Sequence, residues 1–110
     1  MRGFAYRFLV VLALTLPALA CGDSDDETGV SVKDDAFDPA STTVSVGGTV
    51  SWQWRGTHQH NVTWVVASTN SATQTIGAFM RTFATAGSYV YYCTVHGTPT
   101  GGMQGTIVVQ

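Results

Sequence analysis

Apolar and polar residues alternate with a period of two along most of the chain from Val30 onward, which predicts β-strands whose alternate side chains face a common core. Turn-forming pairs such as Gly47–Gly48 recur at short intervals, and no stretch shows sustained helical periodicity. Ile107 and Val109 predict a closing strand. The pattern as a whole predicts an all-β Greek-key sandwich or barrel. The expected inward-facing sets are Val50, Trp52 and Trp54, then Val62, Trp64 and Val66, then Tyr89, Tyr91 and Cys93.

One stretch does not fit strict alternation. Phe79 and Phe83 have the character of core residues, but a regular strand would then bury Arg81 between them. Burying an unpaired guanidinium is unfavourable. A bulge or an edge strand near Arg81 would resolve the conflict, and we expect one of the two.

Length and charge exclude several classes of protein. The chain has 110 residues, which is enough for one domain. Charged residues make up 11% of it, a fraction typical of neither a coiled coil nor a charged disordered chain. The acidic residues lie between Asp23 and Asp38, and from Pro39 onward only Arg55 and Arg81 are formally charged. Because no basic patch is interleaved with aromatic residues, we expect no nucleic-acid partner.

Residues 1–20 have the features of an export signal. Arg2 and Arg7 give a positive start, an apolar run follows, and small residues precede a cleavage position after Ala20. Cleavage would leave Cys21 as the first mature residue, and a cysteine there resembles the lipid-modified cysteine of bacterial lipoproteins. We therefore expect an exported protein, in the periplasm or on the outer cell surface, anchored to the membrane through lipid on Cys21. Ordinary secretion without lipid is the alternative.

The segment after the cleavage position has no means of joining a core. Residues 22–29 are acidic or small and carry no apolar side chain. We interpret residues 21–29 as an acidic flexible tether, so the predicted folded domain spans residues 30–110. We expect this domain to be a monomer.

The residues with distinctive chemistry are His60, Cys93, His96 and Met103. Taken singly, each has an ordinary explanation, since a lone strand cysteine is usually a small buried apolar residue and a loop histidine is usually solvated. A disulfide between Cys93 and Cys21 is disfavoured, because it would join the N-terminal tether to an inward-facing strand position. Any function must therefore come from the combination.

Considered together, these residues have the composition of a metal site. Cys93 and His96 lie where a core strand ends, Met103 follows in the same loop, and His60 opens a different strand. One thiolate, two imidazoles and a thioether are the ligands of a blue-copper electron-transfer site, with three strong in-plane donors and a weak axial one. The sequence thus predicts one mononuclear copper ion that passes single electrons.

The motifs around these residues resemble those of the small blue copper proteins, the cupredoxins, and above all their plastocyanin-like and halocyanin-like members. The resemblance covers Val30 to Gln110. It implies a cupredoxin-like Greek-key β-sandwich and a one-electron carrier, not an enzyme, that works between a donor and an acceptor redox protein. The matching motifs are Asp35–Pro39, Val44–Trp52, His60–Val62, Gly87–His96 and Gly102–Val109.

The resemblance also implies a role for each residue. Asn61 would hydrogen-bond toward Thr94 and so tie the two ligand-bearing loops together. The implied copper ligands are one ring nitrogen of each histidine, the cysteine sulfur and a long axial thioether contact, supplied by His60, His96, Cys93 and Met103.

The ligand loop is longer than the plastocyanin-like pattern. Six residues separate His96 from Met103. We expect residues 97–101 to bulge, which leaves the axial position open to Gln104 as an alternative to Met103.

A second histidine lies near the first ligand. His58 comes two residues before His60, and alternation would place both on one side if the strand had already begun. Gly56 and Thr57 indicate that His58 is still in a loop. We therefore predict His60 as the ligand, with His58 as the alternative.

Other functions use parts of the same chemistry. The main alternative is a periplasmic or cell-surface protein that stores or delivers copper, since such a protein would use similar ligands. A dinuclear copper site would need a second cysteine in the loop, and a multicopper enzyme would need further domains. A structural zinc site could use the cysteine and the two histidines, but a thioether is not a usual fourth ligand of zinc. A metal-free adhesin would bind no copper in stoichiometric amount.

The surroundings of His96 predict where electrons leave. Its neighbours in the loop carry no charge, and the acidic residues are confined to the tether and the first strand. We therefore expect a neutral face around His96 to contact redox partners, with an association rate that depends weakly on salt. The alternative exit runs through Cys93 to its neighbour Tyr92, which strand alternation turns away from the core.

Overall fold

The computed structural model describes residues 27–110. In this range it consists of β-strands joined by turns and loops, and no helix has the length and apolar character needed to cross a membrane. The strands are β1 (Glu27–Lys33), β2 (Ala36–Asp38), β3 (Ser41–Val44), β4 (Thr49–Trp54), β5 (Thr63–Trp64), β6 (Ala78–Thr82), β7 (Gly87–Thr98) and β8 (Gly101–Val109). They form two four-stranded sheets, with orders β2-β1-β4-β6 and β3-β8-β7-β5.

The first strand begins at Glu27, three residues before the domain start predicted at Val30. Thr28 and Gly29 pair in parallel with Val50 and Ser51 of β4. Backbone pairing needs no apolar side chain, so the composition of this stretch carried no sign of a strand. Residues 1–26, which include the predicted signal peptide, Cys21 and most of the tether, lie outside the described range.

The core lies between the two sheets and is mainly aromatic. Trp52 of the first sheet meets Trp64 and Tyr91 of the second, with ring centroids 5.6 and 5.4 Å apart in edge-to-face geometry, which is favourable for aromatic rings. The inward sets on β4 and β7 are confirmed, although Tyr89 is only partly buried. The inward prediction for Val66 is wrong. This side chain is 83% exposed, because β5 ends at Trp64 and the chain leaves the sheet.

Arg81 lies on an edge strand, which is one of the two arrangements that the sequence predicted; the other was a bulge. Strand β6 pairs only with β4 and ends at Thr82, so Phe83 enters the core from beyond the strand. The guanidinium carbon of Arg81 lies 4.3 Å from the ring centroid of Trp64 and 4.6 Å from that of Phe83. Contacts of this kind with aromatic faces are favourable for a cation. The charge thus covers the rim of the core instead of being buried in it.

The turn at Gly47–Gly48 connects strands of different sheets. Strand β3 pairs in parallel with β8, whereas β4 pairs in parallel with β1. Gly47 has φ of +89°, a conformation that favours glycine, and its N–H donates to the carbonyl of Phe83. The Gly47–Gly48 turn therefore joins the two sheets and closes this end of the sandwich. The loop after β4 and the β7–β8 hairpin meet at the other end.

Candidate metal centre

The loop after β4 fixes His60 by its backbone. His60 and Gln74 form an isolated antiparallel bridge, with N–H to carbonyl distances of 3.0 Å in both directions. The indole N–H of Trp54 also donates to the His60 carbonyl at 3.1 Å. With its backbone held by these bonds and its side chain fully buried, the His60 imidazole has little freedom to move.

Cys93 and His96 lie in a bulge of strand β7. Tyr92 pairs with Gln104 and Gly97 with Gly102, so residues 93–96 stand opposite Met103 alone. A bulge of this kind bends the strand and re-aims its side chains. Here it breaks the alternation of the strand and lets Cys93 and His96 approach the same point.

The additional loop length extends the hairpin. Residues 97–101 were expected to bulge, but Gly97 and Thr98 pair with Gly102 and Gly101 around a turn at Pro99 and Thr100. That expectation is wrong, because the bulge lies earlier in the strand, at residues 93–96. A Cβ atom on Gly97 would lie 2.7 Å from the backbone of Met103, so the close approach of the two strands depends on glycine.

Three donor atoms converge inside these loops. The Nδ1 atoms of His60 and His96 lie 3.1 Å apart, and the Sγ of Cys93 lies 3.8 Å from each of them. His60 and Cys93 are fully buried, whereas the His96 side chain is 26% exposed. Among the described residues, this is the one grouping of potential metal ligands that includes sulfur.

The spacing of these donors suits a copper ion. Bonds of about 2.1 Å to imidazole nitrogen and about 2.3 Å to thiolate separate nitrogen from sulfur by about 3.8 Å when they are about 120° apart. Two nitrogens 3.1 Å apart correspond to an angle of about 95° between their bonds. The outer nitrogen of His60 faces the Asp34 carboxylate at 3.1 Å, and its Nδ1 faces Cys93 and His96. The donor set thus fits a metal bound by two imidazoles and a thiolate.

Met103 and Gln104 face opposite sides of β8. Met103 is buried and belongs to the core cluster, directly opposite the bulge that carries Cys93 and His96. The side-chain amide of Gln104 donates to the carbonyl of Pro99 at 2.6 Å, outside the centre. Met103 therefore lies on the inner side of β8, toward the centre, and Gln104 on the outer side.

Asn61 links the two ligand-bearing loops. Its Oδ1 accepts the Thr94 N–H at 3.0 Å, and its Nδ2 donates to the Thr94 hydroxyl at 2.8 Å. Thr73 and Thr63 complete its hydrogen bonding, at 2.9 Å each. The predicted bond from Asn61 toward Thr94 is present. Because the amide is buried and fully satisfied, it holds the loops together strongly.

Asp34 is a residue of the centre that the sequence did not reveal. Its Oδ1 lies 3.1 Å from the His60 Nε2 and accepts the backbone N–H groups of Thr57 and His58 at 2.9 Å each. The His58 N–H, followed by the His60 ring, holds the pKa of Asp34 well below its usual range. Asp34 precedes His60 by 26 residues, and no local pattern relates the two.

His58 and Asp35 surround the centre from outside. The His58 side chain is 58% exposed, with its Nδ1 3.7 Å from the Asp34 carboxylate. The carboxylate of Asp35 lies 3.5 Å from the outer nitrogen of His96. The expectation of a neutral face around His96 is therefore wrong, because the β1–β2 turn brings an acidic residue to the edge of the ring.

A two-sheet β-sandwich with a thiolate and two imidazoles gathered at one end defines the class of type 1, or blue, copper proteins. The family described as copper binding proteins of the plastocyanin/azurin type matches residues 25–110. The chain belongs to this plastocyanin/azurin family. Its homologues are type 1 copper electron carriers and not enzymes.

Individual relatives agree with this assignment. A halocyanin of Natronomonas pharaonis is 34% identical over 104 residues, which cover 81% of this chain and 63% of the halocyanin. This chain therefore spans less than two thirds of that relative. A plastocyanin of Scenedesmus fuscus is 31% identical over 86 residues, which cover 67% of this chain and 86% of the plastocyanin.

Solved structures confirm the cupredoxin fold. A reduced Cu(I) form of an amicyanin variant superposes with a TM-score of 0.67 at 32% identity, covering 78% of this chain and 84% of the amicyanin. A purple cupredoxin from Nitrosopumilus maritimus superposes with a TM-score of 0.66 at 23% identity, covering 76% of this chain and 99% of that protein. The latter likeness concerns the fold alone.

Proposed function

We propose that this protein carries single electrons between a donor and an acceptor redox protein through one copper ion. The copper ion supplies the Cu(II)/Cu(I) couple. The observation that carries the proposal is the convergence of two Nδ1 atoms and one Sγ at separations of 3.1 and 3.8 Å. The residues that would hold the copper ion are His60, Cys93, His96 and Met103.

The surroundings of the ligands suit electron transfer. His60 and Cys93 are fully buried, which excludes water from one side of the centre. Asn61 joins the two ligand-bearing loops with a pair of hydrogen bonds to Thr94. Donors that are held in place by the fold move little when the charge of the ion changes, and fast electron exchange depends on this.

His96 is the proposed point of electron exit. Its ring is the one partly exposed member of the donor triangle, and exposed Val95 and Pro99 lie beside it in the chain. A redox partner can approach such a surface closely and leave it again. Because Asp35 lies beside the ring, we expect a partner with a basic group at this edge and an association rate that falls with ionic strength.

Copper binding by the purified protein tests the ligand set. One equivalent of Cu(II) should produce an intense visible band from thiolate-to-copper charge transfer and a paramagnetic resonance spectrum of a single copper site. Cys93→Ser should abolish the visible band, whereas Cys21→Ser, the matched change at the other cysteine, should keep it. Colour that persists in Cys93→Ser would overturn the proposal.

Storage or delivery of copper is the competing function. Buried donors that are already gathered, with a loop tied down by Asn61, favour a carrier that retains its copper. A carrier should show reversible voltammetry and slow loss of copper to a strong chelator. Rapid loss together with irreversible voltammetry would favour delivery.

We propose further that the protein is exported, anchored by lipid on Cys21, and monomeric. The support is the order of a positive start, an apolar run and small residues before Cys21. Native protein should partition with membranes, and Cys21→Ser should be released or left unprocessed. An unmodified Cys21 in the mature N-terminal peptide would exclude the anchor. Sedimentation of the Cys21→Ser protein, which has no lipid anchor, measures its molar mass and so tests whether it is a monomer.

A further inference from the structure

We infer that Asp34 is a positioning residue for His60. Its carboxylate accepts the Nε2–H of His60, which leaves Nδ1 as the nitrogen that faces the copper, and its negative charge favours Cu(II) over Cu(I). The inference rests on the proposed function, since it concerns the same copper ion.

The geometry connects Asp34 to the centre through one imidazole. Its Oδ1 lies 3.1 Å from Nε2 of His60, while Nδ1 of the same ring faces Cys93 and His96. A neutral imidazole carries a proton on one nitrogen and a lone pair on the other. A carboxylate accepts but does not donate, so the proton lies on Nε2 and the lone pair on Nδ1.

Asp34 is itself held in place. Thr57 donates its N–H to both carboxylate oxygens, at 2.9 and 3.1 Å, and its hydroxyl to Oδ2 at 3.0 Å. The N–H of His58 donates to Oδ1 at 2.9 Å. A Cβ atom on Gly56 would overlap the carboxylate and lie 2.8 Å from the Asp34 backbone nitrogen. The loop before His60 is therefore shaped around this carboxylate.

An anionic acceptor on the outer nitrogen changes the copper centre in a definite direction. Partners of this kind fix the tautomer and orientation of a ligand histidine and raise its basicity. A more basic imidazole and a nearby negative charge both stabilise the more highly charged ion. Asp34 should therefore lower the reduction potential. Loss of a comparable partner typically costs about 10–100-fold in metal affinity.

The decisive variant is Asp34→Asn, because asparagine has the same shape and its amide oxygen can still accept from Thr57, His58 and His60. The charge is removed, and the amide nitrogen in the place of Oδ2 loses the bond from the Thr57 N–H but can donate to the Thr57 hydroxyl. The bonds at Oδ1 are kept, so the visible band should remain. The equilibrium constant for reduction should rise by about tenfold, which is about 59 mV for a one-electron couple. Voltammetry measures the shift, and thermal unfolding of the copper-free protein verifies that the variant folds.

Asp35→Asn is the matched control. It makes the same change of charge at the neighbouring residue, whose carboxylate lies 3.5 Å from His96 without a hydrogen bond to a ligand. Asp35 has φ of +66°, which asparagine also adopts readily. We expect a shift severalfold smaller than that of Asp34→Asn. If the two variants shifted the potential equally, Asp34 would act only as a nearby charge and not through its hydrogen bond to His60, and the inference would be wrong.

A second measurement tests positioning separately from charge. In the reduced, diamagnetic protein, the Nε2–H of His60 should give a slowly exchanging proton signal, retained in Asp34→Asn and lost in Asp34→Ala. An unchanged signal in Asp34→Ala, or an unchanged potential in Asp34→Asn, overturns the inference. In either case the copper-loaded native protein would still be blue, so the proposed function would stand. If the proposed function is wrong, the native protein does not develop this colour.

Discussion

The loop that carries His60 and the hairpin that carries His96 reach the same centre with different surroundings. His60 is fully buried, and its backbone is fixed by Gln74 and Trp54. His96 is 26% exposed and lies in a bulge next to a glycine-lined hairpin. Both rings nevertheless present Nδ1 to the sulfur of Cys93 at 3.8 Å.

The His60 loop and the His96 hairpin meet two different requirements of an electron carrier. The buried loop, anchored by hydrogen bonds, maintains the donor geometry that the two oxidation states share. The hairpin brings a ligand to the surface, where a partner can approach it. Asn61 joins the two regions, so the exposed ligand takes part of its rigidity from the buried side. Substitutions in the two regions should therefore have different effects.

The largest effect should come from the buried side. His60→Ala removes an in-plane donor and opens the copper to water, so the visible and paramagnetic spectra should change fundamentally. His58→Ala removes a neighbouring exposed ring and should leave both spectra nearly intact. If His58→Ala disrupted the spectra and His60→Ala did not, the ligand would be His58.

Asn61→Ala should uncouple the two regions. It leaves the N–H of Thr94 without its acceptor, so the free energy of unfolding of the copper-free protein should fall by about 1–3 kcal/mol. Copper loss to a chelator should also be faster.

Asn70→Ala is the matched control for this change, because Asn70 accepts the Trp64 N–H away from the centre. It should lower stability by about 1 kcal/mol and leave copper release unchanged. Equal release rates in the two variants would show that Asn61 does not couple the loops.

Met103→Gln tests the axial position on the hairpin side. A thioether stabilises Cu(I) more than an amide oxygen does, so the potential should fall while the colour remains. Each tenfold change in the equilibrium constant for reduction corresponds to about 59 mV. Gln104→Ala, at the outward-facing neighbour, should leave the potential unchanged. An unchanged potential in Met103→Gln would mean that Met103 is not bound.

The smallest effect should come from the surface of the hairpin. Pro99→Lys adds a positive charge near His96 without touching a ligand, and this charge should repel the basic partner expected at this edge. Electron exchange with the natural partner should therefore slow while the copper spectrum stays the same. Ala84→Lys, next to Phe83 at the closed end, is the matched control and should not alter exchange. If Tyr92→Lys slowed exchange more than Pro99→Lys, the exit would lie on the Tyr92 side.

Much of this organisation could be predicted from local patterns. Alternation identified the strands that bury Trp52 and Tyr91, because side chains of a strand point to alternate faces. The cost of burying a charge predicted a bulge or an edge strand at Arg81, and the structure has the edge strand. The donor types of the centre followed from a combination of residues whose chemistry suits copper. The bond from Asn61 to Thr94 was implied by the resemblance to the cupredoxins.

What alternation could not determine was where strands end and where loops meet. Val66 continues the pattern of Trp64 but is exposed, because the chain leaves β5. The bulge at residues 93–96 is an irregularity of register between β7 and β8, which depends on how two strands pair and not on either strand alone.

The sequence by itself determined the kind of fold and the chemical types of the donors, because side-chain alternation and ligand chemistry are local properties. Only the tertiary structure decided which charges lie beside those donors. Asp34 and Asp35 belong to the β1–β2 turn, yet they reach His60 and His96 at 3.1 and 3.5 Å. The two sheets bring this turn to the end of the sandwich where the ligand loops lie. Proximity across loops follows from how the sheets pack, and no spacing along the chain encodes it.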